Sequence, residues 1–273
     1  MSGKVVLVTG CSEGGIGFSL CEEFAQAGCK VYATARRLEA MKSFSSPSIE
    51  RLTLDVTSDE DVERVIEHIV KTEGRIDVVV NNAGIGCFGP AIDIPMEQVK
   101  KTFDTNTFGV LRVARCAIPH MAARKSGLII TIGSIVGDIP TAWHGIYSAS
   151  KAAAHALTEI LWMECKPLNV DVMLVAPGGV KSNLPTNAAP VFGLPPQSLY
   201  KSFIDQIIAR MHASQSSGSM PTDKFAQAIV SKALSTKPPL YFSLGANAGL
   251  FGFLRWLPRG WVLGFLWKRL SRK

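Results

Sequence analysis

The sequence predicts an α/β fold: a doubly wound parallel sheet with helices on both faces. Three observations predict it. Short β-branched runs alternate with helix-length amphipathic segments, the pattern of βαβ units. The fourth such run is apolar but for Asp77, close to the pattern of strands covered on both faces. A glycine-rich stretch follows the first run without a gap and opens the first helical pattern.

Val5–Val8 is the first strand, ended by Thr9-Gly10. A helix runs from Ile16 to Gln26, stopped by Gly28 as a C-terminal cap. Val31–Ala35 is the second strand, Leu38–Phe44 a helix, and Leu52–Asp55 the third strand. Ser58 opens a helix with Val62, Val65, Ile66 and Ile69 on one face. Ile76–Val80 is the fourth strand, followed by a long helix from about Met96 to Met121. Gly127–Gly133 is the fifth strand, Ser148–Cys165 a helix, and Val170–Val175 the sixth strand. Residues 183–221 carry Pro185, Pro190, Pro195, Pro196 and Pro221, which marks an irregular insertion of the kind that forms substrate lids. Thr222–Leu234 is again helical, and Leu240–Leu254 is mostly apolar. The expected division is a single domain over 1–245 with a C-terminal apolar and basic segment over 246–273.

Composition excludes several classes. At 47% hydrophobic and 19% charged, the chain is too apolar for disorder. No uninterrupted apolar run reaches the ~18 residues of a simple spanning helix. The net charge is +7, but Arg255, Arg259, Lys268, Arg269, Arg272 and Lys273 crowd an acid-free tail. The remainder is nearly neutral, so no nucleic-acid footprint is expected. None of the 6 cysteines is paired as C-x-x-C and no histidine stands at ligand spacing, so no metal is expected. The first apolar run is too short for a signal peptide, which places the body in the cytosol.

The chemistry is carried by strand ends. Thr9-Gly10-Cys11-Ser12-Glu13-Gly14-Gly15-Ile16-Gly17 joins the first strand to a helix N-terminus, whose open N–H groups suit a pyrophosphate. Alone, such a loop is equally a tight turn. The second strand ends in Arg36-Arg37 with no acid. Guanidinium groups fit a 2′-phosphate, favouring NADP(H) over NAD(H), although a solvated surface pair has the same sequence. Tyr147 and Lys151 are four apart and share a helix face. A neighbouring ammonium lowers a phenol pKa, yet this pair alone is also an ordinary surface pattern.

Together these residues resemble the short-chain dehydrogenase/reductase family over about 4–245. The matching positions are the glycine-rich loop, Asp55-Val56, Asn81-Asn82-Ala83-Gly84, Asn106, Ser134, Tyr147-x-x-x-Lys151 and Pro177-Gly178-Gly179-Val180-Lys181-Ser182, in the family's order. The resemblance implies a Rossmann-type domain that uses NADPH or NADP+ to exchange a hydride with a carbonyl carbon. It implies catalytic roles for Asn106, Ser134, Tyr147 and Lys151. Tyr147 would give the proton, Ser134 would bind the carbonyl oxygen, Lys151 would tune Tyr147 and hold the nicotinamide ribose, and Asn106 would hold a relay water. The implied cofactor contacts are Gly10, Ser12, Gly15, Ile16 and Gly17 at the phosphates, Arg36 and Arg37 beyond them, and Asp55 and Val56 at the adenine. Asn82, Ala83 and Gly84 would line the adenosine side. Pro177, Gly178, Val180 and Ser182 would join Tyr147 and Lys151 on the nicotinamide side. The loop has one residue more than the family spacing between Gly10 and Gly15; Gly14 is expected to absorb it, with Glu13 in solvent. Ser182 replaces the family's threonine and keeps its hydroxyl.

Tyr32–Met41, Tyr147–His155, Met163–Val170 and Gly178–Val180 are similar to one subfamily, the fungal NADPH-dependent acyl-dihydroxyacetone-phosphate reductases. That similarity implies a lipid-like ketone substrate, with 1-acyl-dihydroxyacetone phosphate reduced to 1-acyl-glycerol 3-phosphate. Another bulky apolar ketone (a steroid, a retinoid or a fungal secondary metabolite) remains the alternative, and a membrane-tethered NADPH-binding scaffold a remote one. Trp256, Trp261 and Trp267 among the tail's basic residues suggest a monotopic membrane contact through 246–273. The alternative is a segment packed over the substrate cleft. The expected location is the cytosolic face of the endoplasmic reticulum or a lipid droplet, or else the soluble cytoplasm. The family implies a homo-oligomer. Trp143 and His144 are expected to line the cleft or to pack.

Overall fold

The computed structural model describes residues 3–41 and 44–271, apart from the Val191 side chain. In chain order the main elements are β1 (Val5–Thr9), α1 (Ile16–Gln26), β2 (Lys30–Ala35), β3 (Ile49–Thr53), α2 (Asp59–Glu73) and β4 (Val78–Asn81). Then come α3 (Met96–Phe103), α4 (Gly109–Ala123), β5 (Leu128–Ile132), α5 (Ile135–Asp138), α6 (Gly145–Cys165) and β6 (Asp171–Pro177). The last are α7 (Leu184–Ala188), α8 (Ile204–Met211), α9 (Thr222–Ala233), β7 (Tyr241–Leu244), α10 (Ala248–Leu254) and α11 (Arg259–Leu270).

The strands form one 7-stranded sheet in the order β3-β2-β1-β4-β5-β6-β7, parallel throughout. The chain winds outward from β1 to β3, then returns to β4 and winds the other way. The crevice beyond the carboxyl ends of β1 and β4 is therefore the topological switch point, where ligands of such sheets bind. One face packs under α1 and α9 through Leu20, Phe24, Phe225 and Ile229. The other packs under α2 and α4 through Val62, Ile66, Val113 and Met121.

Four elements differ from the expectations. The third strand is Ile49–Thr53, not Leu52–Asp55. It is an edge strand with charged Glu50 and Arg51, so apolar runs do not mark it, and Lys30 pairs with Glu50 at 3.0 Å. A single 3₁₀ turn, Leu38–Ala40, replaces the start of the expected Leu38–Phe44 helix; residues 42 and 43 lie outside the described residues. The long helix is interrupted at Asp104–Phe108 by a π-turn. The unexpected seventh strand, β7, is half-buried and follows Pro238-Pro239, which hides a four-residue strand inside a longer apolar stretch.

The tail folds into a helical pair, α10 and α11. Phe251, Leu254, Val262 and Leu266 are buried in a third cluster with Ile135, Ile139 and Tyr147. Among the described residues no helix is long and apolar enough to cross a membrane.

Candidate active site

At the end of β1 the chain turns into α1 with its backbone against the end of β4. Gly10 takes φ 74°, and a Cβ there would lie 2.8 Å from Ala83 Cα. Asn82 Nδ2 donates to Thr9 O at 2.8 Å and Gly10 O at 3.0 Å, which fixes the loop to β4. Gly14, at φ 75°, takes up the additional residue in a left-handed turn, and Glu13 is exposed as expected. Ser12 O accepts from Gly15 N at 3.1 Å, and Gly15 opens α1 without a side-chain cap. Ile16 and Gly17 begin the helix, and its leading N–H groups face the crevice mouth free of any capping side chain. This cradle fits a pyrophosphate.

Arg36 and Arg37 are exposed at the end of β2, and the described ion pair there is a loose one, Arg37 Nε to Glu39 Oε1 at 3.8 Å. Asp55 follows β3 and accepts from Thr57 N and Thr57 Oγ1 at 2.9 and 2.7 Å, while Val56 is buried beside it. These positions follow the carboxyl ends of β2 and β3.

Four chemical side chains converge. Asn106 lies in the π-turn, fully buried, accepting from Ile85 N at 2.8 Å and donating to Ile85 O and Ser150 Oγ at 3.0 Å each. Gly84 passes this group closely: a Cβ there would lie 3.3 Å from Asn106 Oδ1 and 3.5 Å from Lys151 Nζ. Lys151 Nζ donates to Ile132 O at 2.8 Å and lies 5.8 Å from the Tyr147 ring centre. Ser134 caps α5, and its amide donates to His155 Nε2 at 3.2 Å. His155 Nδ1 contacts Asp138 Oδ1 at 3.2 Å, so this buried histidine braces the Ser134 turn from below.

Burial sets the electrostatics. It pushes the Tyr147 phenol up to about 12, against the opposing effects of the Ser134 hydroxyl and the Arg210 charge. It pulls Lys151 down to about 8. Two cations stand near the phenol, Arg210, whose charge acts against the rise, and Lys151, with Nζ 5.8 Å from the ring centre.

After β6 the chain supplies the third wall. Pro177 ends the strand, Gly178 N donates to Leu244 O at 2.9 Å, Val180 is buried, and Ser182 lines the crevice. A cavity of about 320 Å³ connects these residues to Ser134 and Tyr147. Its remaining walls are Phe88 and His144, Arg210 and Met211 of α8, and the inner faces of α10 and α11.

Sequence reasoning missed part of this wall. Arg210 donates from Nε and Nη2 to Thr141 Oγ1 at 3.2 and 3.1 Å, and from Nη2 to His144 Nδ1 at 3.3 Å. The His144 ring stacks between Tyr147 (4.2 Å between centroids) and Phe88 (4.1 Å). Leu250, Phe251, Leu266 and Leu270 form the apolar side. Trp143, at φ 64°, sends its ring the other way, against Trp267 and Phe203. Nothing in the insertion's spacing marked Arg210, which sits on an amphipathic turn like any surface arginine.

The model of the short chain dehydrogenase family matches residues 4–190. The chain belongs to this family of oxidoreductases. A Schizosaccharomyces pombe protein named NADPH-dependent 1-acyldihydroxyacetone phosphate reductase is 39% identical over 201 residues, 72% of this chain and 68% of that protein. A Penicillium crustosum short-chain dehydrogenase, PC-15, is 38% identical over 240 residues, 86% of each chain. The crystal structure of a Streptomyces avermitilis short-chain dehydrogenase superposes with a TM-score of 0.81 at 32% identity, covering 100% of this chain and 98% of that one.

Proposed function

We propose that the protein is an NADPH-dependent reductase of a lipid-like ketone, with 1-acyl-dihydroxyacetone phosphate as the substrate and 1-acyl-glycerol 3-phosphate as the product. The observation that carries this reading is the shape of the cavity. It runs from the Ser134 and Tyr147 hydroxyls to an apolar wall made by the chain's own α10 and α11. A ketone at one end and an acyl chain at the other would use both. The pombe relative's name supports the same substrate.

The bound cofactor would supply the hydride. Gly10, Ser12, Gly15, Ile16 and Gly17 would hold its phosphates, and Arg36 and Arg37 the 2′-phosphate. Asp55, Val56, Asn82, Ala83 and Gly84 would hold the adenosine half, and Pro177, Gly178, Val180 and Ser182 the nicotinamide half. Ser134 Oγ orients the carbonyl oxygen and stabilises its developing charge. Tyr147, held protonated by burial, donates the proton to that oxygen. Lys151, and a relay water that Asn106 would hold, return the replacement proton to Tyr147.

The outer face of the same helical pair exposes Phe253, Trp256 and Trp261, with Lys268 at its end, while Arg269 lines the cavity on the other side. Such a face suits the headgroup layer of an endoplasmic-reticulum or lipid-droplet surface. Arg255 and Arg259 are not part of it, since they turn inward to Asp138 at 3.7 Å and to its carbonyl at 3.0 Å. The tail is thus cleft wall on one side and membrane contact on the other. Exposed Ile160 and Met163 on α6 are where a homo-oligomer would close.

The test is NADPH oxidation in detergent with 1-palmitoyl-dihydroxyacetone phosphate against steroid and polyketide ketones. Saturable turnover of the phosphate that is absent in Tyr147→Phe supports the reading. Turnover of neutral ketones alone would move the function to the bulky-ketone alternative, and NADPH binding without turnover of any ketone would leave a scaffold.

A further inference from the structure

A guanidinium shielded from water is costly unless its charge is met. Elsewhere in this chain it is met by carboxylates. Arg112 contacts Asp59 and Asp104 at 3.1 and 2.8 Å, and Arg124 contacts Asp77 at 2.6 Å. Arg210 is different. It is only partly exposed, it lines the cavity beside Tyr147, and its described partners are the neutral Thr141 hydroxyl and His144 ring. No carboxylate among the described residues pairs with it. Its Nε and Nη2 are used, and Nη1 donates to no described group.

The histidine partner stays neutral. An arginine N–H only donates, so His144 Nδ1 accepts and the ring proton is on Nε2. Burial and the Arg210 charge hold His144 well below its ordinary pKa, which keeps this acceptor available. His144 Nε2 is itself buried and without a partner among the described residues. The cluster therefore presents one full positive charge and no negative one, stacked against the reacting phenol.

We propose that Arg210, positioned by Thr141 and His144, binds the anionic head of the substrate and selects ketones that carry a phosphate one methylene from the reacting carbon. The inference rests on the phosphorylated-ketone reading above and names the group that would recognise it. A phosphate so close to the carbonyl lies in the same neighbourhood as Tyr147, whichever way the acyl chain runs. It also opposes the negative charge that hydride addition builds on the carbonyl oxygen. A guanidinium at this point cancels that repulsion and offers Nη1 to a phosphate oxygen. A steroid or retinoid ketone would leave the charge unmet.

The experiment compares 1-palmitoyl-dihydroxyacetone phosphate with its dephosphorylated form, 1-palmitoyl-dihydroxyacetone, at saturating NADPH. Wild type, Arg210→Gln, Arg210→Lys and Arg269→Gln are assayed, and NADPH binding is followed by fluorescence. Wild type is expected to prefer the phosphate. Arg210→Gln is expected to lose about 100-fold in kcat/KM on the phosphate, far more than on the dephosphorylated form, with Arg210→Lys in between. Inorganic phosphate should inhibit wild type in competition with the phosphorylated ketone, and Arg210→Gln much less. Equal losses on both ketones in Arg210→Gln would show a structural role and overturn the inference while leaving the substrate in place. A matching loss of NADPH affinity would assign Arg210 to the cofactor and overturn it too. So would loss of the preference in Arg269→Gln rather than Arg210→Gln. A wild type that reduces only the dephosphorylated ketone would sink the phosphorylated-substrate reading itself, and the inference with it.

Discussion

The nucleotide half of the crevice is built on strand ends, whereas the substrate half is built on an insertion and a terminal helical pair. In the first, most of the form follows from backbone geometry, a left-handed Gly10 and an uncapped helix start, with the Asn82 side chain as one long-range tie from β4 to β1. In the second, the contacts come from side chains far apart in the chain. Thr141 and His144 precede α6, Arg210 sits on α8 and Leu266 on α11, and all four line one cavity. Two regions of one cleft thus differ in how much of their structure is local. On the function proposed above, the first half would hold the cofactor and the second the ketone.

Tyr147→Phe gives the largest expected effect, because both halves meet at this phenol. Reduction should fall by roughly 10³-fold while NADPH binding persists. Equilibrium titration of the variant, followed by single-turnover kinetics, checks both parts. Loss of cofactor binding as well would mean that the two halves are not separable at this residue.

Leu266→Ala addresses the substrate half alone. Leu266 is 5% exposed and packs with Phe251 and Ile139. The change should cost about 2–5 kcal/mol of stability and raise KM for the acyl ketone, with NADPH affinity held. Urea melts and substrate titrations report it. Trp256→Ser, at a position 88% exposed, should instead leave the melt unchanged and weaken binding to anionic vesicles. An unstable Trp256→Ser protein would count against the two-sided tail.

The contrast explains what the sequence made legible. The doubly wound sheet, the loop at Gly10–Gly17 and the spacing of Tyr147 and Lys151 follow from short-range patterns, and the structure brings Asn106, Ser134, Tyr147 and Lys151 together around Gly84 and Ile132. The π-turn at Asn106 leaves no mark, since its residues fit an ordinary helix. β3 and β7 escape an apolar pattern because one is a charged edge and the other lies half-buried behind two prolines. Arg210 was invisible because its significance is the absence of a carboxylate, a property of the fold and not of residues near it in sequence. The tail's tryptophans were legible as interfacial, but Leu266 and Phe251 on the reverse side were not separable from them by composition.

Arg36→Ala with Arg37→Ala sharpens the comparison from the nucleotide side. KM for NADPH should rise by about 10-fold to 100-fold, and KM for NADH much less. Steady-state kinetics with both cofactors measures it. Equal changes would remove the arginines from the 2′-phosphate. Acyl-ketone KM should not follow, because neither arginine lines the cavity beside Ser134 and Tyr147.

The smallest effect is acid sensitivity confined to the substrate half. Burial, then the Arg210 charge, hold folded His144 well below its ordinary 6.5. As pH falls below 6.5 the unfolded chain takes up a proton that the folded protein refuses. The stability from neutral His144 is thus fully present above about 6.5 and declines below it, by at most about 1.4 kcal/mol per pH unit. Urea midpoints at pH 7.5 and 5.5 should separate more in wild type than in His144→Gln. Arg210→Gln should also narrow the gap, since removing the guanidinium lets His144 protonate more readily. Should both variants keep the full wild-type separation, the acid sensitivity belongs to groups outside the cluster, and the two halves of the crevice are alike in this respect.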